Sequence, residues 1–441
     1  MNKKISLPIR EIIAFFIMTA LFVVGLVIVA KIPRASIREK VSDSAEFLCD
    51  SELFGCVLKD IESSKIDRYA DSILLGIAYQ YDSNKSLKSV MYSAYYFRET
   101  HNENENLAAA VNENLPANRQ YLRYWHGSIL VVRPLLLFMS IREIYFWNAV
   151  WLLIFIVILF VVFLKRQAYA LSVGMIAGLI FTSAWFVPFS LEYTWTFLLM
   201  MIASLVAFNV AWHEKTKWYG TMFLCFGMIT NFFDFLTTET LTLTVPLLIV
   251  LWTEGKKDSK KVTPRSVAIN SVVSWGSGYA GAWIMKWVLA SLVLRENVMP
   301  YVSGHITERL GGKTSENLSL LGYLTGALSR NIKCMLPFEF GVGGILFGIA
   351  LIIFYLYIAY VYRCEKINRE KIIIYFLIGC IPYLRFLVLH NHSFMHYFFT
   401  YRAQLGTILA GSLILSELKV WVTIRSRKVY KNAGKRKTKR T

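Results

Sequence analysis

Asp67 and Asp71, in Ile66-Asp-Arg-Tyr-Ala-Asp-Ser72, are the first residues whose type and spacing suit chemistry. On a helix, a spacing of four puts both carboxylates on one face, where like charges repel by a few tenths of a kcal/mol. Such repulsion raises one of the two pKa values, which suits a general base or a cation site. The plainer reading is a solvated helix face neutralised by Lys65 and Arg68.

Three further groups have comparable potential. Arg123-Tyr-Trp-His-Gly127, continuing to Arg133-Pro134, combines two arginines, His126 and aromatic rings. A guanidinium offers a two-pronged fork to phosphate oxygens, while an aromatic belt with snorkelling arginines would use the same residues. His390-Asn-His392-Ser-Phe-Met-His396, followed by Tyr401-Arg402, has a spacing that matches no strong zinc signature. Phosphate or sugar recognition therefore suits it better than a metal, and no cofactor is expected beyond an optional divalent cation. Asn231-Phe-Phe-Asp234 with Thr237-Thr-Glu239, together with Glu192, places carboxylates in tight turns. Lys286 and Arg385 lie inside apolar runs, where charges are costly and mark functional sites by default.

The elements that must position these residues are membrane helices. The 441-residue chain is 56% hydrophobic and only 17% charged, with mean hydropathy +0.46, whereas soluble domains carry about 25% charged residues. A span needs about 20 mostly apolar residues. Candidate runs are 11–31, 144–164, 169–189, 192–212, 218–236, 239–253, 267–293, 341–361, 372–389 and 402–421. The expected fold is thus an all-α membrane protein, one polytopic domain with about ten transmembrane helices. The first run follows Lys3, Lys4 and Arg10 but has no small-residue cleavage site close behind it, so it reads as a retained span and not a signal peptide.

The net charge of +19 concentrates in short connections, among them Lys165-Arg166, Lys256-Lys257 and Arg369-Lys371, and in the tail 422–441. That distribution marks cytoplasmic loops facing anionic lipid and argues against nucleic acid. It places both termini in the cytoplasm and leaves two long segments outside, 32–143 and 294–340. The first contains a helix-like stretch from Ser63 to Tyr81 and closes in an interfacial stretch from Tyr124 to Met139. The second closes similarly from Leu318 to Met335. Cys49 and Cys56 fall in the first, where a disulfide is permitted but not established by spacing. Of seven histidines only His213 falls inside, so the candidate groups converge on the outer face.

This layout resembles the C-type (GT-C) membrane glycosyltransferases. The resemblance rests on the span count, the long first outer loop with its carboxylates, and three stretches. These are Arg-Tyr-Trp-His-Gly followed by Arg-Pro-Leu-Leu, Asn-Phe-Phe-Asp-Phe-Leu-Thr, and His-Ser-Phe-Met-His-Tyr-Phe-Phe-Thr-Tyr-Arg, which look like an uncharacterised bacterial group. It implies transfer of a sugar from a polyprenyl-phosphate carrier to a glycan or lipid acceptor outside a bacterial plasma membrane. Asp71 or Asp67 would be the base, with Arg133, Arg402 and His392 or His396 on the phosphate. Asp234 and His126 would orient donor or acceptor, and Tyr401, Lys286 and Arg385 would complete the substrate site. One departure from the family is that no acidic pair closely follows the first span. A transporter or flippase for lipid-linked glycans, a polysaccharide polymerase or ligase, and a structural membrane protein are the competing classes. The nearly uncharged inner halves of most runs weigh against a transport path.

Overall fold

The computed structural model describes residues 7–234, 236–256, 262–311, 318–336, 341–361 and 367–418. The basic tail and parts of the connections near 260, 315, 338 and 364 lie outside the described residues.

The chain is an all-α, multi-pass membrane protein. Helix α1 (Leu7–Ala30) is followed by a helical cap made of α2 (Arg34–Cys49), α3 (Arg68–Gln80), α4 (Ser86–Tyr92), α5 (Glu103–Asn112) and α6 (Ile129–Leu135). Then come α7 (Ile141–Lys165), α8 (Tyr169–Phe181), α9 (Leu191–Trp212), α10 (Tyr219–Phe233), α11 (Leu241–Glu254) and α12 (Pro264–Leu294). The last part comprises α13 (Met299–Gly311), α14 (Leu320–Met335), α15 (Val342–Val361), α16 (Arg369–Gly379), α17 (Ile381–Val388), α18 (His390–Met395), α19 (Tyr397–Thr400) and α20 (Leu405–Glu417).

The expected count of ten spans is corrected. Among the described residues six helices are long and apolar enough to cross a membrane: α1, α7, α9, α12, α15 and the pair α16–α17. The other four expected runs form α8, α10, α11 and α20, of 13–15 residues. At 1.5 Å per residue these reach about 20–23 Å, short of the roughly 30 Å hydrocarbon core. Composition over a 20-residue run cannot see where the backbone stops. Ser183 adopts a positive φ after α8, a 3₁₀ turn containing Pro188 follows it, and the Asp234 carboxylate closes the turn after α10.

Short helices pack among long ones through close backbone approach. A Cβ on Gly227 of α10 would meet the Trp275 carbonyl at 2.1 Å, and one on Gly278 of α12 would meet the Leu224 carbonyl at 2.2 Å. Small residues are what permit such contact between helices in lipid. At the end bearing the basic connections, Arg10 donates to Thr221 at 2.8 Å, Tyr219 to Glu254 at 2.6 Å, and Lys371 pairs with Glu417 at 3.4 Å.

The cap closes the opposite end. Local sequence starts its helices: Asn102 and Glu105 form a capping box on α5, and Ser140 and Glu143 form one on α7. Buried polar anchors then lock the cap onto the spans. Trp125 Nε1 donates to the Ala282 carbonyl at 2.8 Å and Gly127 N donates to the Phe232 carbonyl at 2.8 Å. Cys49 is a free thiol, so no bridge joins it to Cys56.

Candidate active site

Helix α3 brings Asp67 to the heart of the molecule. It begins at Arg68, one residue later than a shared helix face for both aspartates requires, and Asp67 is its N-cap, accepting from Ala70 N at 2.8 Å. Both aspartates are buried, and neither is neutralised by its chain neighbours. Lys65 pairs with Glu62 at 2.7 Å, and Arg68 lies over the Phe47 ring.

The two carboxylates diverge in role. Asp71 accepts from Leu191 N at 2.9 Å, from Ser190 Oγ at 3.2 Å and from the Tyr145 hydroxyl. It fastens α3 to the first turns of α7 and α9. Burial pushes its carboxyl up to about 7, against the Tyr145 hydrogen bond that holds it down. Asp67 instead lines a small cavity of about 60 Å³, where it meets the polar side chains of His126, Glu192, His392 and His396 among Tyr69, Ala70, Ile73, Leu74, Tyr121, Tyr124 and Phe399. There it forms a hydrogen-bonded carboxyl pair with Glu192. Ionised carboxylates only accept, so one of the two must carry the proton. Burial raises Asp67 above its ordinary range, opposed by hydrogen bonds from Ala70 and Glu192. Glu192 Oε2 is buried and has no hydrogen-bond partner.

Three histidines frame this pair. His126 adopts a positive φ, and its Nε2 lies 2.8 Å from the Tyr121 carbonyl, which fixes the proton on Nε2. Burial lowers it to about 3, keeping the ring neutral. His392 Nδ1 accepts from Arg385 at 3.4 Å, since a guanidinium only donates, so its Nε2 carries the hydrogen. His396 lies 4.7 Å from the His392 ring and stacks on Phe399. His390 lies apart, bonded to the Leu387 carbonyl. Among the described residues no group of three or more His, Cys, Asp or Glu could hold a metal ion.

A much larger cavity, about 630 Å³, adjoins the small one and shares Tyr124 as a wall. Trp275, Tyr279, Trp283 and Trp287 line it from one side of α12, and Ile381, Leu384 and Val388 from α17. Ile284, Leu384 and Val388 are also exposed, so the cavity is continuous with the apolar outer surface. Two cations, Arg385 and Arg123, also line it. Arg385 pairs with Glu239 at 2.8 Å and donates to Ser393 Oγ at 2.9 Å. Arg123 lies 4.1 Å over Tyr121 and donates to the Tyr121 and Tyr301 hydroxyls at 2.9 and 3.4 Å. Its Nε is buried without a partner.

Asp67, His126, His392 and His396 thus share the small cavity, and Arg385, in the lining of the large one, contacts His392. The remaining expected residues bond to main chain or to turns. Arg133 donates to the carbonyls of Ile32 and Tyr81, at 2.6 and 3.2 Å. Arg402 donates to those of Phe398 and Ser63, and Tyr401 to those of Ser63 and Thr182. Lys286 Nζ donates to Val90 at 2.8 Å and Met91 at 3.3 Å, holding the C-terminal end of α4. Asp234 accepts from Leu236 N and Thr237 N, closing its own turn.

Sequence reasoning missed the aromatic face of α12 and underweighted Arg123 and Glu192. The four-residue spacing from Trp275 to Trp287 was legible, but it is equally the pattern of a lipid-facing belt. No family model, no curated protein and no solved structure matches the chain.

Proposed function

We propose that this protein is a membrane glycosyltransferase of the GT-C kind, moving a sugar from a polyprenyl-phosphate donor to a glycan or lipid acceptor outside the cytoplasm of a bacterial cell. The observation that supports it is a pair of adjoining cavities that share Tyr124: a small one holding a buried carboxyl pair and histidines, and a large aromatic one opening toward lipid, lined also by Arg123 and Arg385. A lipid-linked sugar has the same two parts joined by a phosphate.

In this reading the large cavity takes the first isoprene units against Trp283 and Trp287. Arg123, whose described partners are phenols and not carboxylates, meets the phosphate. Arg385 is already balanced by Glu239, and it orients His392 so that Nε2–H faces the reacting groups. Asp67 removes the proton of the acceptor hydroxyl. The resulting oxygen attacks the anomeric carbon, and the bond from that carbon to the phosphate oxygen breaks with its electrons leaving on polyprenyl phosphate. Glu192 holds the shared proton and so sets when Asp67 can accept one. Asp71, Arg133, Lys286, Tyr401 and Arg402 are positioning residues, since their partners belong to the scaffold.

The test is reconstitution of the purified protein in liposomes with radiolabelled polyprenyl-phosphate glucose or mannose and a bacterial cell-envelope extract as the source of acceptor, followed by release of label from polyprenyl phosphate into acceptor. Release by the wild type and its loss in Asp67→Asn support the reading. Movement of intact donor between leaflets without release, unaffected by Asp67→Asn, overturns it in favour of a flippase.

A further inference from the structure

A third cavity, of about 230 Å³, lies at the end of the molecule opposite the cap, between the C-terminal turns of α7 and α9. Its inner wall is apolar, formed by Val162, Leu205 and the buried Phe208. Its rim is polar, with Lys165, Arg166, Asn209 and His213 all exposed. The Arg166 guanidinium lies 4.3 Å over the Trp212 ring, which stacks in turn on Phe208 at 5.7 Å. No carboxylate lines the cavity, and among the described residues neither Lys165 nor Arg166 is in an ion pair.

Two helix C-termini meet here, and their dipoles favour nearby cations. That accounts for the charge but not for a cleft with an apolar floor. The floor continues into the outer faces of the two spans, where Val161, Leu164, Ile202 and Val206 are exposed. A ligand fitting both parts has an anionic head for the rim and a hydrocarbon chain that follows the floor into the bilayer.

We infer that this cleft binds an anionic phospholipid of the leaflet facing the basic connections. The phosphate lies between Lys165 and Arg166, with Asn209 and His213 as further polar contacts, and one acyl chain runs along Val162 and Leu205. Trp212 holds the Arg166 fork in place by stacking. The site is separate from the carboxyl pair and the aromatic groove, and it stands whatever reaction those perform.

Trp212 is also the reporter. The purified protein is reconstituted in phosphatidylcholine vesicles containing bromine-labelled phosphatidylglycerol or, separately, bromine-labelled phosphatidylcholine at equal fraction. The Trp212 signal is taken as the difference in fluorescence between the wild type and Trp212→Phe. Stronger quenching by the labelled phosphatidylglycerol is expected. A basic residue near an anionic surface contributes a preference of about fivefold, so Lys165→Gln and Arg166→Gln should each weaken the preference by about that factor. Arg166→Lys should retain most of it, which separates loss of the site from loss of folding. A second arm adds inorganic phosphate against chloride at matched ionic strength, and the preference should persist. Equal quenching by both labelled lipids, or no change in Lys165→Gln and Arg166→Gln, overturns the inference. Displacement by inorganic phosphate overturns it in favour of a soluble anion.

Discussion

Replacing Asp67 by asparagine separates chemistry from architecture more cleanly than any other single change. The carboxylate has two jobs, capping α3 through Ala70 N at 2.8 Å and pairing with Glu192. Asparagine caps helices about as well as aspartate, and its amide can still hydrogen-bond Glu192. The cost in stability should therefore stay below about 1 kcal/mol. A positioned general base contributes about 10²–10⁴ in rate, which at 1.36 kcal/mol per decade is roughly 3–5 kcal/mol of transition-state stabilisation. Label release from polyprenyl-phosphate glucose or mannose, measured beside thermal unfolding followed by tryptophan fluorescence, should show a hundredfold or larger fall with little change in melting. Asp71→Asn should do the reverse. Its carboxylate serves three donors from α7 and the start of α9, and each donor left without an acceptor costs about 1–3 kcal/mol. The protein should melt earlier, while each folded molecule keeps a rate within about tenfold of the wild type. Asp67→Asn protein that turns over at the wild-type rate would refute the assignment of the base.

Further outcomes follow from the same geometry. Burial raises Asp71 from an ordinary value of 3.8 to about 7. The folded state therefore holds this proton more tightly than the unfolded state does, and the contribution is fully present below about pH 4 and lost as pH rises toward 7. Melting temperature in detergent should fall across that window, and less steeply in Asp71→Asn. Lys286→Met leaves the Val90 and Met91 carbonyls without their donor; it should cost about 1–3 kcal/mol in thermal unfolding without changing the donor KM. Gly227→Ala drives a methyl toward the Trp275 carbonyl and should destabilise by about 1–3 kcal/mol, seen as earlier melting with an unchanged rate per folded molecule. Arg123→Gln should raise the KM for polyprenyl-phosphate sugars about tenfold or more, since a charge-assisted hydrogen bond is worth about 1.5–3 kcal/mol, while Arg123→Lys restores part of it.

Much of the layout was legible because it depends on composition over long windows. The apolar runs, the basic connections and the gathering of histidines at one end all appear in the residue order alone. Helix ends were less legible. α10 stops where the Asp234 carboxylate closes a turn, a local bond that an average over 20 residues does not register. The aspartates show the same limit at finer scale. Spacing placed them on one face, but α3 begins at Arg68, and a single residue separates a cap lining a cavity from a buried strut. The arginines show why residue type is not role. Arg133 and Arg402 are as suited to phosphate as Arg123, yet folding spends them on carbonyls of the cap and the turns beside it. That choice depends on contacts between segments more than 50 residues apart, as with Arg133 and Tyr81.

In the proposed reading, the aromatic cavity and the carboxyl-lined cavity form one site for a lipid-linked sugar. Photo-crosslinking with a polyprenyl phosphate carrying a diazirine in its first isoprene units tests this most directly, with the labelled peptides mapped by mass spectrometry. Labels should fall on Tyr279, Trp283 and Leu384 and be suppressed by excess unlabelled polyprenyl phosphate. Labels spread over the lipid-facing surfaces of α1, α7 and α15, unaffected by the competitor, would contradict it.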